Sequence, residues 1–268
     1  HREALAEAVG RYQYGAGCPG GAETLVHTLQ VVSAARPECA WVQLDVANAF
    51  PSIRRQAVLD ASEEFAPALL PLAGTFLRRP SSFVYQGAAG RGEILEATLG
   101  VEQGDVLGPL LFAVGFRRPV ESLRAALVAA LKEEFGYSPE EAEAAVVLGA
   151  YLDDVLACVP ACLAARVPSL AAQAFSPVGL TVNQDKTKVW VPDGLRPPGC
   201  GDWWSASGLR ALGAPAEGDT PLTALGELGS VIGEPELVAD FLNQALDAYR
   251  TFVGKVVATA VEADSSWG

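Results

Sequence analysis

A pair of aspartates interrupts the most β-rich stretch of this chain, and this interruption constrains the fold more than any other feature. Residues 146–159 are mostly apolar, and Asp153 and Asp154 are the only charged residues among them. Apolar runs of β-type residues on both sides of a short polar break predict a strand, a tight turn and a second strand. The stretch therefore requires a sheet whose apolar faces are covered by other elements.

The rest of the chain alternates predicted helices with short strands. A strand is expected at 41–46, a hairpin at 81–99, strand fragments at 180–182 and 187–191 around a turn, and a short strand at 209–212. Helices are expected at 1–11, 23–35, from about Pro51, at 108–132, after Ser138, at 160–174 and at 234–262, with a loop at 193–207. This order predicts an α+β fold in which one antiparallel sheet carries helices on one face. No apolar run has membrane-spanning length.

Acidic side chains occur on this apolar scaffold at two distant places. Asp45 ends a predicted strand, and Asp153 and Asp154 occupy the turn described above. A buried aspartate is costly unless it is paired or bound to a metal ion, and a divalent cation relieves the repulsion between carboxylates. Oxygen ligands of this kind suit Mg²⁺ or Mn²⁺, and two such ions about 4 Å apart can serve phosphoryl transfer. The alternative is an ordinary hairpin turn, with Asp45 as a helix cap.

Five segments together resemble the ordered motifs of reverse transcriptases. Asp45–Phe50 resembles motif A, Gly100–Asp105 with Pro109–Phe112 motif B, Tyr151–Asp154 the Y-x-D-D of motif C, Gly179–Lys188 motif D, and Gly208–Pro215 motif E with its flank. The upstream segment Tyr14–Gln30 is similar to the lead-in from fingers to palm in non-LTR retrotransposon polymerases. The order and spacing of the motifs fit the family throughout.

This resemblance implies a right-hand polymerase palm with partial fingers, acting as an RNA-directed DNA polymerase. Residues 1–40 would be partial fingers and lead-in. Residues 41–200 would be the palm with motifs A to D and a fingers insert at about 67–100, and residues 201–268 the motif E-like segment and C-terminal helix. The expected partners are an RNA template, a DNA primer and deoxynucleotides, with protein partners in a larger complex as a further expectation.

The resemblance also implies roles for individual residues. Asp45 and Asp153 would bind two catalytic Mg²⁺ or Mn²⁺ ions with help from the Val46 carbonyl, and Asp154 would be a weaker or outer carboxylate. Lys186 would donate a proton to the leaving pyrophosphate, with Lys188 as its rival. The nucleotide-binding candidates are Phe50, Gln103 and Gly104. Phe50 would be a steric gate against a sugar 2′-hydroxyl, or alternatively a plain core residue.

The charge of the chain favours a second hypothesis. There are 32 acidic and 19 basic residues, for a net charge of −13, so a whole-chain basic footprint for nucleic acid is absent. The chain begins with His1, contains no Met and lacks the family's basic fingers strands, so we expect a piece of a longer protein that does not synthesise DNA by itself. The alternative function is a domesticated, catalytically silent assembly subunit. A location in the nucleus is expected only for an active retroelement product.

Overall fold

The computed structural model describes most of the chain up to Val191. It covers residues 2–86, 92–102 and 104–191, the backbone of 210–212, 224–227 and 230–233, and the single positions Ala239, Asn243 and Asp247. The expected loop at 193–207 lies outside the described residues. The expected helix at 234–262 lies outside them too, apart from those three helical positions.

Helices and strands alternate along the described chain. The helices are α1 (Arg2–Val9), α2 (Gly21–Ala35), α3 (Ala49–Ser52), α4 (Arg55–Phe65), α5 (Leu70–Leu77), α6 (Gly108–Phe135), α7 (Pro139–Ala145) and α8 (Val167–Phe175). The strands are β1 (Cys39–Val46), β2 (Ser81–Gln86), β3 (Gly92–Ala97), β4 (Val147–Tyr151), β5 (Asp154–Pro160), β6 (Val182–Trp190), β7 (Arg210–Leu212), β8 (Ala224–Glu227) and β9 (Ser230–Gly233).

A five-stranded sheet in the order β4-β5-β1-β6-β7 organises the molecule, and it confirms the predicted α+β fold. The first four strands are antiparallel neighbours, and β7 runs parallel to β6. The hairpin predicted at 81–99 forms a separate two-stranded sheet, β2-β3. The apolar strand β1 is central in the large sheet, so both its edges are hydrogen-bonded.

Helices cover both faces of the sheet, which is more than the sequence pattern predicted. Alternate residues of β1, Val42 and Leu44 among them, belong to the large core shared with α4, α6 and α8. The intervening Trp41 belongs to a second core with Leu25 and Leu29 of α2. Successive side chains of a strand point to opposite faces, so α2 lies over the face opposite α6 and α8.

Three predicted elements differ from the observed ones. The helix expected from about Pro51 is split into α3 and α4, because the backbone at Ile53 and Arg54 is extended and bonds outside the helix. The Arg54 N–H donates to the Val178 carbonyl, and the Ile53 carbonyl accepts from Gly100. The predicted helix at 160–174 begins with a 3₁₀ turn at Ala161–Arg166 before α8.

The third difference concerns the two strand fragments expected around residues 183–186. They form one strand, β6, that carries a bulge. Gln43 of β1 faces Lys188 while Asp45 faces Asn183, so the six residues from Asn183 to Lys188 oppose three residues of β1. The Thr187 hydroxyl donates to the Asn183 carbonyl at 2.8 Å and closes the bulge, so the predicted turn survives inside a continuous strand.

No helix in the described part of the chain is long and apolar enough to cross a membrane.

Candidate active site

The strand register brings the three aspartates to one end of the sheet. In the β1–β5 ladder the last pair is Leu44 with Val155, so Asp45 lies one residue beyond this pair in β1 and Asp154 one residue before it in β5. Asp153 occupies the turn that joins β4 to β5. Val46, the last residue of β1, is buried and faces Val182 of β6. The structure therefore juxtaposes Asp45 with Asp153 and Asp154, although about a hundred residues separate them in sequence.

These carboxylates lie in an environment that disfavours their negative charge. All three aspartates are half-buried. Burial raises the pKa of Asp153 above its ordinary value, and the negative charge of Asp45 acts in the same direction. The pKa of Asp154 is raised by burial first, and then by the charges of Asp153 and Asp45. The site is thus an uncompensated cluster of like charges that a cation would stabilise.

The residues present fit a divalent metal ion in part. Hard carboxylate oxygens at the end of a rigid strand are suitable ligands for Mg²⁺ or Mn²⁺. Within the described ranges, no three acidic, histidine or cysteine side chains already converge as a complete metal cluster. Two aspartates would leave the remaining ligand positions to backbone carbonyls, water and substrate oxygens, which is the usual way in which Mg²⁺ is bound.

The turn that carries Asp153 is held by Gln13, a residue that sequence reasoning missed. Leu152 adopts a left-handed conformation with φ of 56°. The Gln13 side-chain amide donates to the Leu152 carbonyl at 3.2 Å, and its oxygen accepts from the Leu152 N–H at 2.7 Å. The same oxygen accepts from the Gly15 N–H at 2.9 Å. No local sequence signal could have found this contact, because 139 residues separate the partners.

Phe50, five residues after Asp45 in the chain, packs at the edge of the large core. Its ring is half-buried and stacks on Phe112 of α6, with the centroids 4.6 Å apart and an interplanar angle of 15°. The aromatic contacts continue from Phe112 to Phe116 and from Phe116 to Phe175 of α8. The position is compatible with both interpretations from the sequence, because the ring is anchored on one side and partly exposed.

The motif B-like segment packs beside α3 and α4. The Val101 N–H donates to the Phe50 carbonyl at 2.9 Å. Gly100 has φ of 75°, and a Cβ there would lie 2.4 Å from the Pro51 Cα, so only glycine permits this approach. Gly104 is exposed, with φ of 89° and open space around it, and it lines a cavity of about 410 Å³ together with Arg55. Gln103 lies outside the described residues.

The two lysines lie on β6, the strand that pairs with β1. Lys186 is exposed within the bulge, and Lys188 is half-buried opposite Gln43, two residues before Asp45. Neither lysine forms an ion pair with a described acidic residue.

Comparison with known proteins relates the chain to a family of polymerases. Residues 8–226 match the family model described as Reverse transcriptase (RNA-dependent DNA polymerase). The chain is 33% identical over 149 residues to the Retrotransposable element SLACS 132 kDa protein of Trypanosoma brucei gambiense, which covers 54% of this chain and 11% of that protein.

A solved structure of telomerase shares the fold. Telomerase from Candida albicans, in complex with the TWJ fragment of telomeric RNA, aligns with a TM-score of 0.50 and 12% identity over 79% of this chain and 32% of that chain. Apo telomerase from Candida Tropicalis aligns with a TM-score of 0.48 and 10% identity over 79% of this chain and 34% of that chain. The chain therefore spans only a small part of each relative.

Proposed function

Because the chain belongs to the reverse transcriptase (RNA-dependent DNA polymerase) family, we propose that it forms a palm that adds deoxynucleotides to a primer 3′-hydroxyl on an RNA template. The observation that carries the proposal is the juxtaposition of Asp45 with Asp153 and Asp154 across neighbouring strands. An unpartnered acidic cluster destabilises a fold, and its presence at a sheet end is explained by a cationic ligand.

We assign the metal-binding role to Asp45 and Asp153, with the Val46 carbonyl as a further ligand. Two bound Mg²⁺ or Mn²⁺ ions would stabilise the attacking and leaving oxygens of the displacement. Asp154 would act from outside this ligand set as a weaker carboxylate, the role that its motif C position implies. Lys186 would protonate the departing pyrophosphate, and its exposure leaves its ammonium group free to reach substrate.

The incoming nucleotide would be selected at the edge of the aromatic core. Phe50 would abut the sugar 2′ position and exclude a hydroxyl, because stacking on Phe112 prevents the ring from retreating. Gly104, and Gln103 beside it in the chain, would contact the nucleotide and the template base. The open space around Gly104 permits such an approach.

A catalytically silent assembly subunit is the second candidate, and the net charge of −13 favours it. Such a surface repels the phosphate backbone unless cations or other parts of a larger protein compensate. A silent subunit would keep the fold while its aspartates bound no metal ion.

For an active retroelement product we also propose action in the nucleus, which fractionation of cells that express the protein would test.

Primer extension combined with thermal melts separates the two candidates. The full-length wild-type protein should extend a DNA primer on an RNA template with Mn²⁺. Saturating Mn²⁺ at about 100 times its Kd should add about 2.7 kcal/mol of stability, which is roughly 5–10 °C in Tm. Asp153→Asn should lose both effects.

The matched control is Asp60→Asn, at an exposed aspartate of α4. It should keep both extension and the response to Mn²⁺. Three results together would favour the assembly subunit. The Tm would not change with Mn²⁺, the wild type would not extend the primer, and Asp153→Asn would still bind its partners.

A further inference from the structure

Gln13 is a buried residue, and its side-chain carboxamide bonds to the active-site turn. Its exposed fraction is 7%, and it lies in a short extended segment between α1 and α2. This segment pairs in parallel with β4: the Tyr14 N–H donates to the Ala150 carbonyl, and the Ala150 N–H donates to the Tyr12 carbonyl, both at 2.7 Å. Gln13 is therefore fixed by backbone hydrogen bonds on both sides.

The side chain of Gln13 continues this pairing beyond the end of β4. After Ala150 and Tyr151 the chain turns, and Leu152 can no longer pair with a strand. The Gln13 amide supplies the missing donor and acceptor to the Leu152 carbonyl and N–H. Because a carboxamide has the same polar groups as a peptide unit, it acts as an additional rung of the ladder at the residue that precedes Asp153.

The backbone at Gly15 packs closely against Leu152 beside this contact. A Cβ at Gly15 would lie 2.6 Å from the Leu152 nitrogen and 2.8 Å from its Cγ. Leu152 itself has a positive φ, which is unfavourable for a branched residue and persists only where its surroundings hold it. The hydrogen bonds from Gln13 thus hold Leu152 in an unfavourable backbone conformation, at the residue that immediately precedes Asp153.

We propose that Gln13 is the positioning residue for Asp153, and that its amide fixes the left-handed Leu152 so that the carboxylate faces Asp45. The inference rests on the proposed function for its catalytic consequence, but its structural part stands on the hydrogen bonds alone. Gln13 touches neither substrate nor metal in this scheme. It acts only through the Leu152 backbone.

The principal test is Gln13→Met, which keeps the length of the side chain and removes its hydrogen bonds. Hydrogen–deuterium exchange should show loss of protection at the Leu152 amide. In primer extension kcat should fall by about 10- to 100-fold while the KM for deoxynucleotide stays within about twofold, because the variant misplaces a carboxylate rather than a substrate-binding group. Half-saturation of the thermal stabilisation by Mn²⁺ should move to higher concentration.

The matched control is Gln43→Met, two residues before Asp45 in β1. The Gln43 side-chain oxygen is buried without a hydrogen-bond partner, so the same substitution removes no bond to the turn. It should leave Leu152 protection, kcat and the response to Mn²⁺ unchanged. Equal effects of the two substitutions would overturn the proposal, because they would reflect general destabilisation of the sheet.

A second variant covers the case in which Gln13→Met does not fold. Gln13→Glu keeps the acceptor for the Leu152 N–H and loses the donor to the Leu152 carbonyl, so amide protection should remain while kcat falls. Wild-type kcat in this variant would overturn the proposal. If the wild type itself extends no primer, the proposed function fails. The exchange measurement still tests the structural part of the proposal. Loss of protection at the Leu152 amide in Gln13→Met would support the role of Gln13 in holding the turn, and unchanged protection would refute it.

Discussion

Arg55 at the start of α4 offers the sharpest test of how the site is supported. Its exposed fraction is 6%, and its guanidinium donates to the Gly100 carbonyl at 3.0 Å, the Arg79 carbonyl at 2.7 Å and the Ser81 hydroxyl at 2.9 Å. One side chain therefore joins helix α4, the start of the hairpin β2-β3 and the segment that leads to Gly104. Arg55→Met retains the apolar stem and removes all three hydrogen bonds.

The expected loss of stability follows from the burial of each bond. The Gly100 carbonyl is buried and would be left without its guanidinium donor, which costs about 1–3 kcal/mol. The bonds to Arg79 and Ser81 are half-buried, so water replaces the lost donor in part and each contributes about 1 kcal/mol. Arg55→Met should therefore lower the free energy of unfolding by about 4 kcal/mol, or roughly 10 °C in Tm. Arg55→Lys should lose about half as much, because an ammonium cannot reproduce the planar fork.

Urea denaturation of both variants measures these losses, and the adjacent Arg54 provides the control. The Arg54 side chain is exposed and donates one hydrogen bond, to the Pro177 carbonyl at 3.2 Å, so Arg54→Met should cost less than about 1 kcal/mol. In primer extension Arg55→Met should also raise the KM for deoxynucleotide. A destabilisation by Arg55→Met no greater than that of Arg54→Met would refute the reasoning.

Three further predictions concern the carboxylates, the gate and the turn. Because the pKa values of Asp153 and Asp154 are raised in the folded state, their contribution to stability is complete below the ordinary value of 3.8 and is lost as pH rises through the raised values. With a chelator present, the free energy of unfolding of Asp153→Asn should thus rise relative to that of the wild type as pH increases. Urea melts at several pH values would show a constant difference between the two proteins if the reasoning is wrong. Phe50→Ala or Phe50→Val should raise the kcat/KM for ribonucleotides relative to deoxynucleotides; an unchanged ratio would return Phe50 to the role of core residue. Gly15→Ala should lower the Tm and expose the Leu152 amide to exchange, since its Cβ would overlap the Leu152 nitrogen, and wild-type protection would contradict the packing described here.

Local patterns in the sequence predicted the elements that local interactions determine. The hairpin around Asp153 follows from the change between apolar and charged residues. Helix α7 follows from Ser138, whose hydroxyl and backbone form a capping box with Glu141. The family motifs predicted which polar residues lie near the sheet end, and the register of β1 with β5 brings the aspartates together there.

Contacts between distant segments account for what the sequence could not show. The break between α3 and α4 exists because Ile53 bonds to Gly100 and Arg54 bonds to Val178. No sequence pattern predicts these distant partners. The continuity of β6 depends on its register with β1. Gln13 gave no periodic or motif signal, since its role arises only when the fold brings the 12–14 segment beside β4.

The central position of β1 affects how the protein can be made. Its pairing partners β5 and β6 come more than a hundred residues later in the chain. At synthesis rates of about 5–20 residues per second, β1 would wait on the order of 10 s on the ribosome before its first partner emerges. During that interval an apolar strand with both edges open can pair with other chains. Efficient production therefore depends on something covering β1 early, and α2, which precedes it and packs on Trp41, is already synthesised by then. Removing the α2 contact would reduce the soluble yield before it affected any property of the finished site.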